Sequence, residues 1–291
     1  MTHIRIMVSR HSAFYSPVIA TISGKFLDKY GISASYHIAD KSNPIEEVSK
    51  GNMDLGQAAV SGSWNYLENG KKSPVAHFAQ INSYDGFFVL SRKTSNIFNW
   101  NDLKKGKFLY VHGAQPEAML RYALSIKGID LDSISNIFSI GGDEMMKQWY
   151  EGKADYFHEQ GAYPQQLEYE NQGIIVGSVG ELIGPVAFSS LVCRWDWVGS
   201  DLYYKFKNAY SQARKWVNSA NPDEIAEMES DYFPKLSLES ISRAIKFYQN
   251  LGTWSNEILI EPKLYDKALD VFEYSKLIET RYDFDDVVVN E

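Results

Sequence analysis

The chain has 291 residues and a single cysteine, Cys193, so it can form no intrachain disulfide. That fits a reducing compartment. No apolar run approaches the ~20 uncharged residues that a membrane-spanning helix needs. The first residues lack the basic segment, long apolar stretch and small-residue cleavage site of a secretory signal. We therefore predict a cytoplasmic protein without a membrane segment. If the chain is a processed form with an added Met, a periplasmic location is expected instead.

Basic residues are also scarce. Lys and Arg number 29 against 37 Asp and Glu, which gives a formal net charge of −8. Without a basic face, the protein has nothing to replace the counterions of a phosphate backbone, so no nucleic-acid partner is predicted. The charge does not exclude a small anionic ligand, because a cleft can be locally positive on an acidic protein.

Common catalytic signatures are missing as well. The sequence has no Gly-x-Ser-x-Gly elbow, no phosphate-cradling Gly-x-x-x-x-Gly-Lys-Ser/Thr and no dinucleotide fingerprint. No pair of histidines has the spacing of metal ligands. Cys193 follows an apolar run and is expected to be buried and unreactive. We predict neither a cofactor nor a metal.

What the chain does contain is an internal repeat. Gly51 is followed by two spacer residues, Asp54 and an apolar strand, and Gly152 is followed in the same way by Asp155. Each glycine suits the left-handed position that closes a helix. Two copies about a hundred residues apart predict two similar α/β lobes rather than one long sheet. A cleft between two lobes is where small molecules bind.

The hydrophobic pattern alternates between strands and helices as far as residue 193 and is almost wholly helical from Ser200. This order predicts that the chain leaves lobe one, builds lobe two and returns. We predict lobe one from residues 1–92 plus 189–291 and an inserted lobe two from residues 93–188. The acidic end, residues 283–291, is expected to be a loosely held tail.

Three segments resemble a known family. They are Ile4-Arg-Ile-Met-Val-Ser-Arg-His-Ser-Ala-Phe-Tyr15, Gly24-Lys-Phe-Leu-Asp-Lys-Tyr-Gly-Ile32 and Gly51-Asn-Met-Asp-Leu-Gly56. In order and spacing the chain is similar to type II periplasmic binding proteins, in the branch that serves sulfonate, nitrate and thiamine-pyrimidine-precursor uptake. The resemblance implies two lobes, each a mostly parallel sheet flanked by helices, with a helical C-terminus.

The same branch includes cytosolic members without a signal sequence, among them the enzyme that makes the thiamine pyrimidine. The resemblance also implies a cysteine-rich, iron-associated motif for that enzyme. This chain departs from that pattern because Cys193 is its only cysteine. We therefore expect that it is not an iron-dependent pyrimidine synthase.

In open α/β sheets, ligands bind beyond the carboxyl ends of the strands and at helix N-termini. Four loops and one hinge position qualify, and each has a plainer structural reading as a turn, a helix cap or a core side chain. The candidate ligand-binding residues are Ser9, Arg10, His11, Ser12, Phe14 and Tyr15 in the first loop; Ser61, Ser63 and Trp64 in the second; Asn82 near the hinge; His112, Gly113 and Glu117 in the third; and His158 and Glu159 in the fourth.

Two function classes stay open. The first is a binding protein that closes two lobes around a planar or anionic metabolite, with a thiamine-pyrimidine-related compound as one candidate. The second is a cytosolic enzyme in the same cleft, for pyrimidine-precursor biosynthesis or decarboxylase-like chemistry, with His11 and His158 as candidate catalytic groups. A permease partner is not expected without export. We further predict that His11, Trp64 and His158 converge on one cleft.

Overall fold

The structure, a computed structural model, describes residues 2–39, 42–93 and 97–290. Its strands alternate with helices, as the sequence predicts. In chain order the strands are β1 (Thr2–Val8), β2 (Ile32–Ile38), β3 (Leu55–Ala58), β4 (Ala76–Asn82), β5 (Phe87–Ser91), β6 (Lys107–Val111), β7 (Ser135–Ser139), β8 (Tyr156–Gln160), β9 (Ile174–Ser178) and β10 (Ser189–Cys193).

The helices flank these strands and then dominate the C-terminal part. In chain order they are α1 (Ser16–Ser23), α2 (Pro44–Ser49), α3 (Ser61–Glu68), α4 (Ala114–Ile126), α5 (Gly142–Tyr150), α6 (Tyr163–Tyr169), α7 (Val179–Ile183), α8 (Asp201–Ser219), α9 (Pro222–Glu229), α10 (Leu238–Leu251) and α11 (Pro262–Tyr274). Within the described ranges, no helix combines the length and apolar character needed to cross a membrane.

The strands form two separate five-stranded sheets. The first has the order β2-β1-β3-β10-β4 and the second β7-β6-β8-β5-β9. In each sheet four strands run in the same direction, and one strand, β10 in the first sheet and β5 in the second, lies antiparallel between two of them. The two-lobed fold with mostly parallel sheets and a helical C-terminus is the one predicted from the sequence.

The internal repeat has a structural cause. Gly51 and Gly152 both have left-handed backbones, with φ of 76° and 72°, which end α2 and α5. In lobe one the carboxylate of Asp54 accepts the backbone N–H of Arg5 at 2.7 Å. In lobe two the carboxylate of Asp155 accepts the backbone N–H of Lys107 at 2.8 Å. The repeated aspartate thus ties the start of each central strand to its parallel neighbour.

The predicted division at residues 92/93 needs one correction. It placed β5 in lobe one, but β5 pairs with β8 and β9 in the second sheet. The chain therefore first crosses between the sheets in residues 83–86. Periodicity did not reveal this because β5 is buried and apolar in either sheet. The chain returns to the first sheet at β10, which pairs with β3 and β4.

The C-terminal helices do more than pack back on lobe one. Helix α8 lies on α1, as expected, but α10 packs on α6 and α11 packs on α4, both in lobe two. The ammonium of Lys267 donates to the hydroxyl of Tyr122 at 2.7 Å, and the backbone N–H of Ser237 donates to the Gln166 side chain at 2.8 Å. These helices therefore hold both lobes.

The expectation of a loose C-terminal tail is wrong. Val287 and Val288 are buried. The backbone N–H of His77 in β4 donates to Val287 at 2.8 Å, and the N–H of Val289 donates back to His77 at 2.9 Å. The tail pairs with the edge of the first sheet because its Val triplet has both the β-propensity and the apolar surface that this edge requires.

Candidate functional site

A cavity of about 640 Å³ opens where the carboxyl ends of the two sheets face each other. Each lobe contributes side chains to its wall. Predicted site residues that line it are Ser9, Arg10, Tyr15, Ser61, His112 and Gly113. Lining residues that sequence reasoning missed include Ser42, Asn43, Gln57, Asn65, Gln115, Gln160 and Phe188. This size and mixture of polar and apolar groups suit a small organic molecule.

The first loop is fixed by β3. Gln57 accepts hydrogen bonds from the backbone N–H of Ser9 at 3.0 Å and from its hydroxyl at 2.6 Å. This bond orients the Gln57 amide so that its Nε2 is left without an acceptor among the described residues. Tyr15 presents its phenol from the start of α1. Burial raises the pKa of Tyr15 to about 12, against the opposing influence of Gln160 and Arg10, so the hydroxyl stays protonated at neutral pH.

Arg10 reaches across the cleft to lobe two. Its Nη2 donates to both carboxylate oxygens of Glu159, at 2.9 and 3.1 Å, and its Nη1 donates to the carbonyl of Ile140 at 3.2 Å. Glu159 is buried and also accepts the backbone N–H of Gly142 at 2.6 Å. The predicted residue Glu159 thus lies behind the cavity wall, where it binds the arginine instead of lining the cavity.

Three other residues of the first loop are structural. The Ser12 hydroxyl donates to the Gly161 carbonyl at 2.5 Å, and the Phe14 ring packs on Phe188. The His11 ring stacks on Phe233 at a centroid distance of 4.4 Å, and its Nε2 donates to the carbonyl of Tyr232 at 2.7 Å. Burial lowers the pKa of His11 although this carbonyl opposes the shift.

Of the three candidates in the second loop, Ser61 lines the cavity, whereas Ser63 and Trp64 do not. Ser63 is buried and bonds to the His77 ring at 2.9 Å. Trp64 is 1% exposed, and its Nε1 donates to the hydroxyl of Tyr265 at 2.7 Å. Trp64 belongs to the core beneath α11.

Asn82 is also enclosed in lobe one. Its Nδ2 donates to Ser189 at 3.0 Å, and its Oδ1 accepts the indole N–H of Trp254 at 2.9 Å. A side chain with both ends satisfied inside the fold has no free group for a ligand. Asn82 therefore joins the crossing between the lobes to the C-terminal helices.

In the third loop, His112 and Gly113 line the cavity and Glu117 supports them. Glu117 accepts the backbone N–H of Gly113 at 2.7 Å and lies 2.6 Å from Nδ1 of His112. Arg121 donates to the same carboxylate at 2.9 Å. Burial alone raises the pKa of Glu117, but the hydrogen bonds from Gly113 and Arg121 outweigh it and lower the pKa.

The fourth loop offers Gln160 rather than His158. His158 is fully buried in the second sheet, where it stacks on Phe87 at 4.6 Å, and burial lowers its pKa to about 3. Gln160 is 2% exposed and lines the cavity, and its amide makes no well-formed hydrogen bond with a described residue. The Tyr15 hydroxyl lies close enough for this amide to oppose the rise in the pKa of the phenol. His11, Trp64 and His158 therefore do not converge on the cavity.

A signal for the missed amides was present in the sequence. Gln57 interrupts the apolar run Leu55–Val60, and Gln160 ends the strand that begins at Tyr156. An amide at the carboxyl end of a buried strand is costly to desolvate unless something binds it. Among the described residues, no group of three or more His, Cys, Asp or Glu side chains is arranged to hold a metal ion.

Comparisons with known proteins agree with this architecture. The model of the family described as NMT1/THI5 like matches residues 15–224. YtlA of Bacillus subtilis (strain 168), which is named as a candidate binding protein, is 24% identical over 309 residues, covering 100% of this chain and 89% of YtlA.

Two solved structures show the same fold at low sequence identity. The alkanesulfonate-binding protein SsuA from Xanthomonas axonopodis pv. citri, bound to MOPS, superposes with a TM-score of 0.77 at 12% identity, covering 100% of this chain and 99% of SsuA. The periplasmic nitrate-binding protein NrtA from Synechocystis PCC 6803 gives 0.75 at 16% identity, covering 99% and 86%.

Proposed function

Because this chain belongs to the NMT1/THI5-like family, we propose that it is a binding protein that holds a small organic molecule between its two lobes. The observation that carries the proposal is Gln160, a buried amide that lines the cavity and makes no well-formed hydrogen bond with a described residue. An unpaired buried amide costs about 1–3 kcal/mol, which a ligand would recover by pairing with it. Gln57 and Tyr15 offer further donors from the opposite lobe.

The lobes of this protein divide, in our proposal, at residues 83–86 and at residues 184–188. The two crossings lie side by side, since the backbone N–H of Val186 donates to the carbonyl of Ser83 at 2.9 Å, and Phe188 forms part of the cavity wall. Two crossing segments side by side permit a hinge motion that opens and closes the cleft. The described structure is closed, since Arg10 and Glu159 already touch across it.

A thiamine-pyrimidine-related compound is the ligand class that the sequence resemblance favours, and it belongs in any test panel. The enzyme alternative depended on His11 and His158 as tuned groups. Neither ring lines the cavity. A histidine that cannot reach the ligand cannot transfer a proton to it directly, so the geometry favours binding over catalysis at this site.

Native mass spectrometry of the gently purified protein, followed by a thermal-shift screen with pyrimidines, pyridoxal phosphate, sulfonates and carboxylates, tests the proposal. Gln160→Leu removes this amide and breaks no well-formed hydrogen bond to a described residue. Gln212→Leu is the matched control, because Gln212 lies on α8 and bonds to Tyr30 outside the cavity. A ligand should stabilise the wild type and the control but not Gln160→Leu. Equal stabilisation of all three, or no ligand at all, contradicts the proposal.

A further inference from the structure

We propose that the ligand of this cleft is uncharged, because the protein's own carboxylates already occupy the positions from which the cleft would bind an anion. This inference rests on the proposed function and adds the chemical class of the ligand. It sets the protein apart from the structural relatives named for binding alkanesulfonate and nitrate.

The first such position is the guanidinium of Arg10. Of the described residues that line the cavity, only Arg10 and His112 have side chains that can carry a positive charge. Both carboxylate oxygens of Glu159 lie within 3.1 Å of Nη2 of Arg10. Glu159 is 1% exposed, so the pair is poorly screened by water and the arginine's charge is largely cancelled at the cavity wall.

The second position is His112 at the start of α4. Glu117 lies 2.6 Å from Nδ1 of this ring, so its carboxylate neutralises a positive charge on the ring from within the protein. The same carboxylate accepts the backbone N–H of Gly113, one of the donors at the N-terminus of α4. An anion that approached this helix end would find an internal anion already there.

Donors at three other helix starts beside the cavity also have acceptors inside the protein, one a carboxylate and the others neutral groups. Glu159 accepts the N–H of Gly142 at 2.6 Å at the start of α5. At the start of α3, the N–H groups of Gly62 and Ser63 donate to backbone carbonyls at 3.0 and 3.1 Å. At α2, Asn43 accepts the N–H of Ile45 at 2.8 Å. These donors are therefore not free to bind an external anion.

The polar groups that remain for a ligand are neutral. Gln160 offers one donor group and one acceptor, Gln57 offers its Nε2, and Tyr15 offers a hydroxyl. A carboxamide pairs best with a group that presents a donor beside an acceptor, such as an amide or a ring lactam. Phe188 and Ile278 supply apolar surface to the same wall. The ligand class that fits is a neutral, partly apolar molecule with an amide-like edge.

Isothermal titration calorimetry of the full chain tests the charge. The simple anionic probes are sodium nitrate and sodium methanesulfonate. Two further pairs of compounds, nicotinamide with nicotinate and uracil with orotate, compare a neutral and an anionic molecule that share the same ring. We expect the wild type to bind neither simple anion below ~10 mM. In a matched pair that binds, the neutral member should bind at least ~10-fold tighter, since a tenfold change corresponds to ~1.4 kcal/mol.

Glu159→Gln should release the charge of Arg10 and improve binding of nitrate or methanesulfonate at least ~10-fold. Glu239→Gln is the matched control. It also removes a carboxylate from an arginine, Arg243, but on the exposed surface of α10, so anion binding should not change. Circular dichroism melting establishes whether each variant is folded. If Glu159→Gln does not fold, the wild-type titrations alone decide whether the ligand is uncharged.

The outcomes separate this inference from the proposed function. Binding of nitrate or methanesulfonate to the wild type below ~1 mM, or tighter binding of the charged member of a pair, overturns the inference and leaves a binding protein. Glu159→Gln that is folded but gains no anion affinity also overturns it. If no compound binds and native mass spectrometry finds no retained molecule, the proposed function fails and the inference fails with it.

Discussion

Arg10 and Glu159 are 149 positions apart in the chain and form an ion pair with an N–O distance of 2.9 Å. Arg10 follows β1, an interior strand of the first sheet, and Glu159 lies near the end of β8, the central strand of the second. Their contact joins the two lobes at the edge of the cavity. It both closes the cleft and cancels a charge inside it.

Breaking this pair should destabilise the protein. Arg10→Met leaves Glu159 buried with fewer hydrogen bonds, and the free energy of unfolding should fall by about 1–3 kcal/mol. The control Arg243→Met breaks exposed pairs on α10 and should cost no more than ~1 kcal/mol. Urea denaturation of the wild type and both variants measures the difference. Equal losses would show that the contact across the cleft is as weak as an ordinary surface pair.

Asp85 predicts a pH dependence of stability. Burial raises its pKa to about 8, although the backbone N–H of Phe87 opposes the shift. The folded carboxyl therefore keeps its proton between the unfolded pKa of ~3.9 and about 8, and stability falls as the pH rises through this window. Asp85→Asn should remove this pH-dependent loss. The free energy of unfolding of the variant, relative to that of the wild type, should therefore rise by up to ~1.4 kcal/mol for each pH unit in this window.

Urea denaturation at pH 5 and pH 8 measures the Asp85 effect. Asp285→Asn, at an exposed position near the C-terminus, is the control and should follow the wild type at both pH values. A constant difference between Asp85→Asn and the wild type across the two pH values would show that Asp85 ionises normally in the folded protein.

Trp64 should affect stability and not ligand affinity. Trp64→Phe deletes the indole N–H that donates to the Tyr265 hydroxyl and leaves a gap under α11. We expect a loss of about 1–3 kcal/mol in the free energy of unfolding. Trp195→Phe also loses an indole hydrogen bond, to Ser73, but at a position 41% exposed, and should cost less. If the folded Trp64→Phe variant binds the ligand tenfold more weakly than the wild type, Trp64 contributes to the binding site after all.

The C-terminal tail should contribute to the stability of the first sheet. Val287→Ala removes two buried methyl groups beside His77 and should cost roughly 1–3 kcal/mol. Asp285→Ala, two residues earlier and exposed, should be neutral within ~0.5 kcal/mol. Chemical denaturation compares the two. If Val287→Ala is as stable as Asp285→Ala, the tail is not packed as described.

The sequence was sufficient for the architecture because its signals are local. The glycine and aspartate of the repeat act within one helix end and one strand start, so Asp54 and Asp155 were recognisable in both lobes. The first crossing was not recognisable, because β5 is equally apolar in either sheet and its partners are set by contacts about 70 residues away. The tail was misread because its charged residues mask the valines that pair with His77.

Only part of the candidate site could be predicted from the sequence, for a related reason. The strand-end rule pointed to loops that border the cavity, and Ser9, Arg10 and His112 line it. Which side chain of a loop turns toward the cavity depends on tertiary packing. Trp64 and His158 were selected for their chemistry, but Trp64 bonds to Tyr265 inside the core and the buried His158 ring stacks on Phe87, and neither lines the cavity. Gln57 and Gln160 have little chemistry of their own and become conspicuous only through their position.

A crystal structure of the protein with the neutral compound that stabilises it most is the most direct test of the central claim. The account predicts electron density in the cavity between the lobes, with ligand atoms within hydrogen-bond distance, ~2.7–3.2 Å, of the Gln160 amide and of Gln57 or Tyr15, and with Arg10 still bound to Glu159. Density outside the cavity, or a ligand anion that has replaced Glu159 on Arg10, would contradict it.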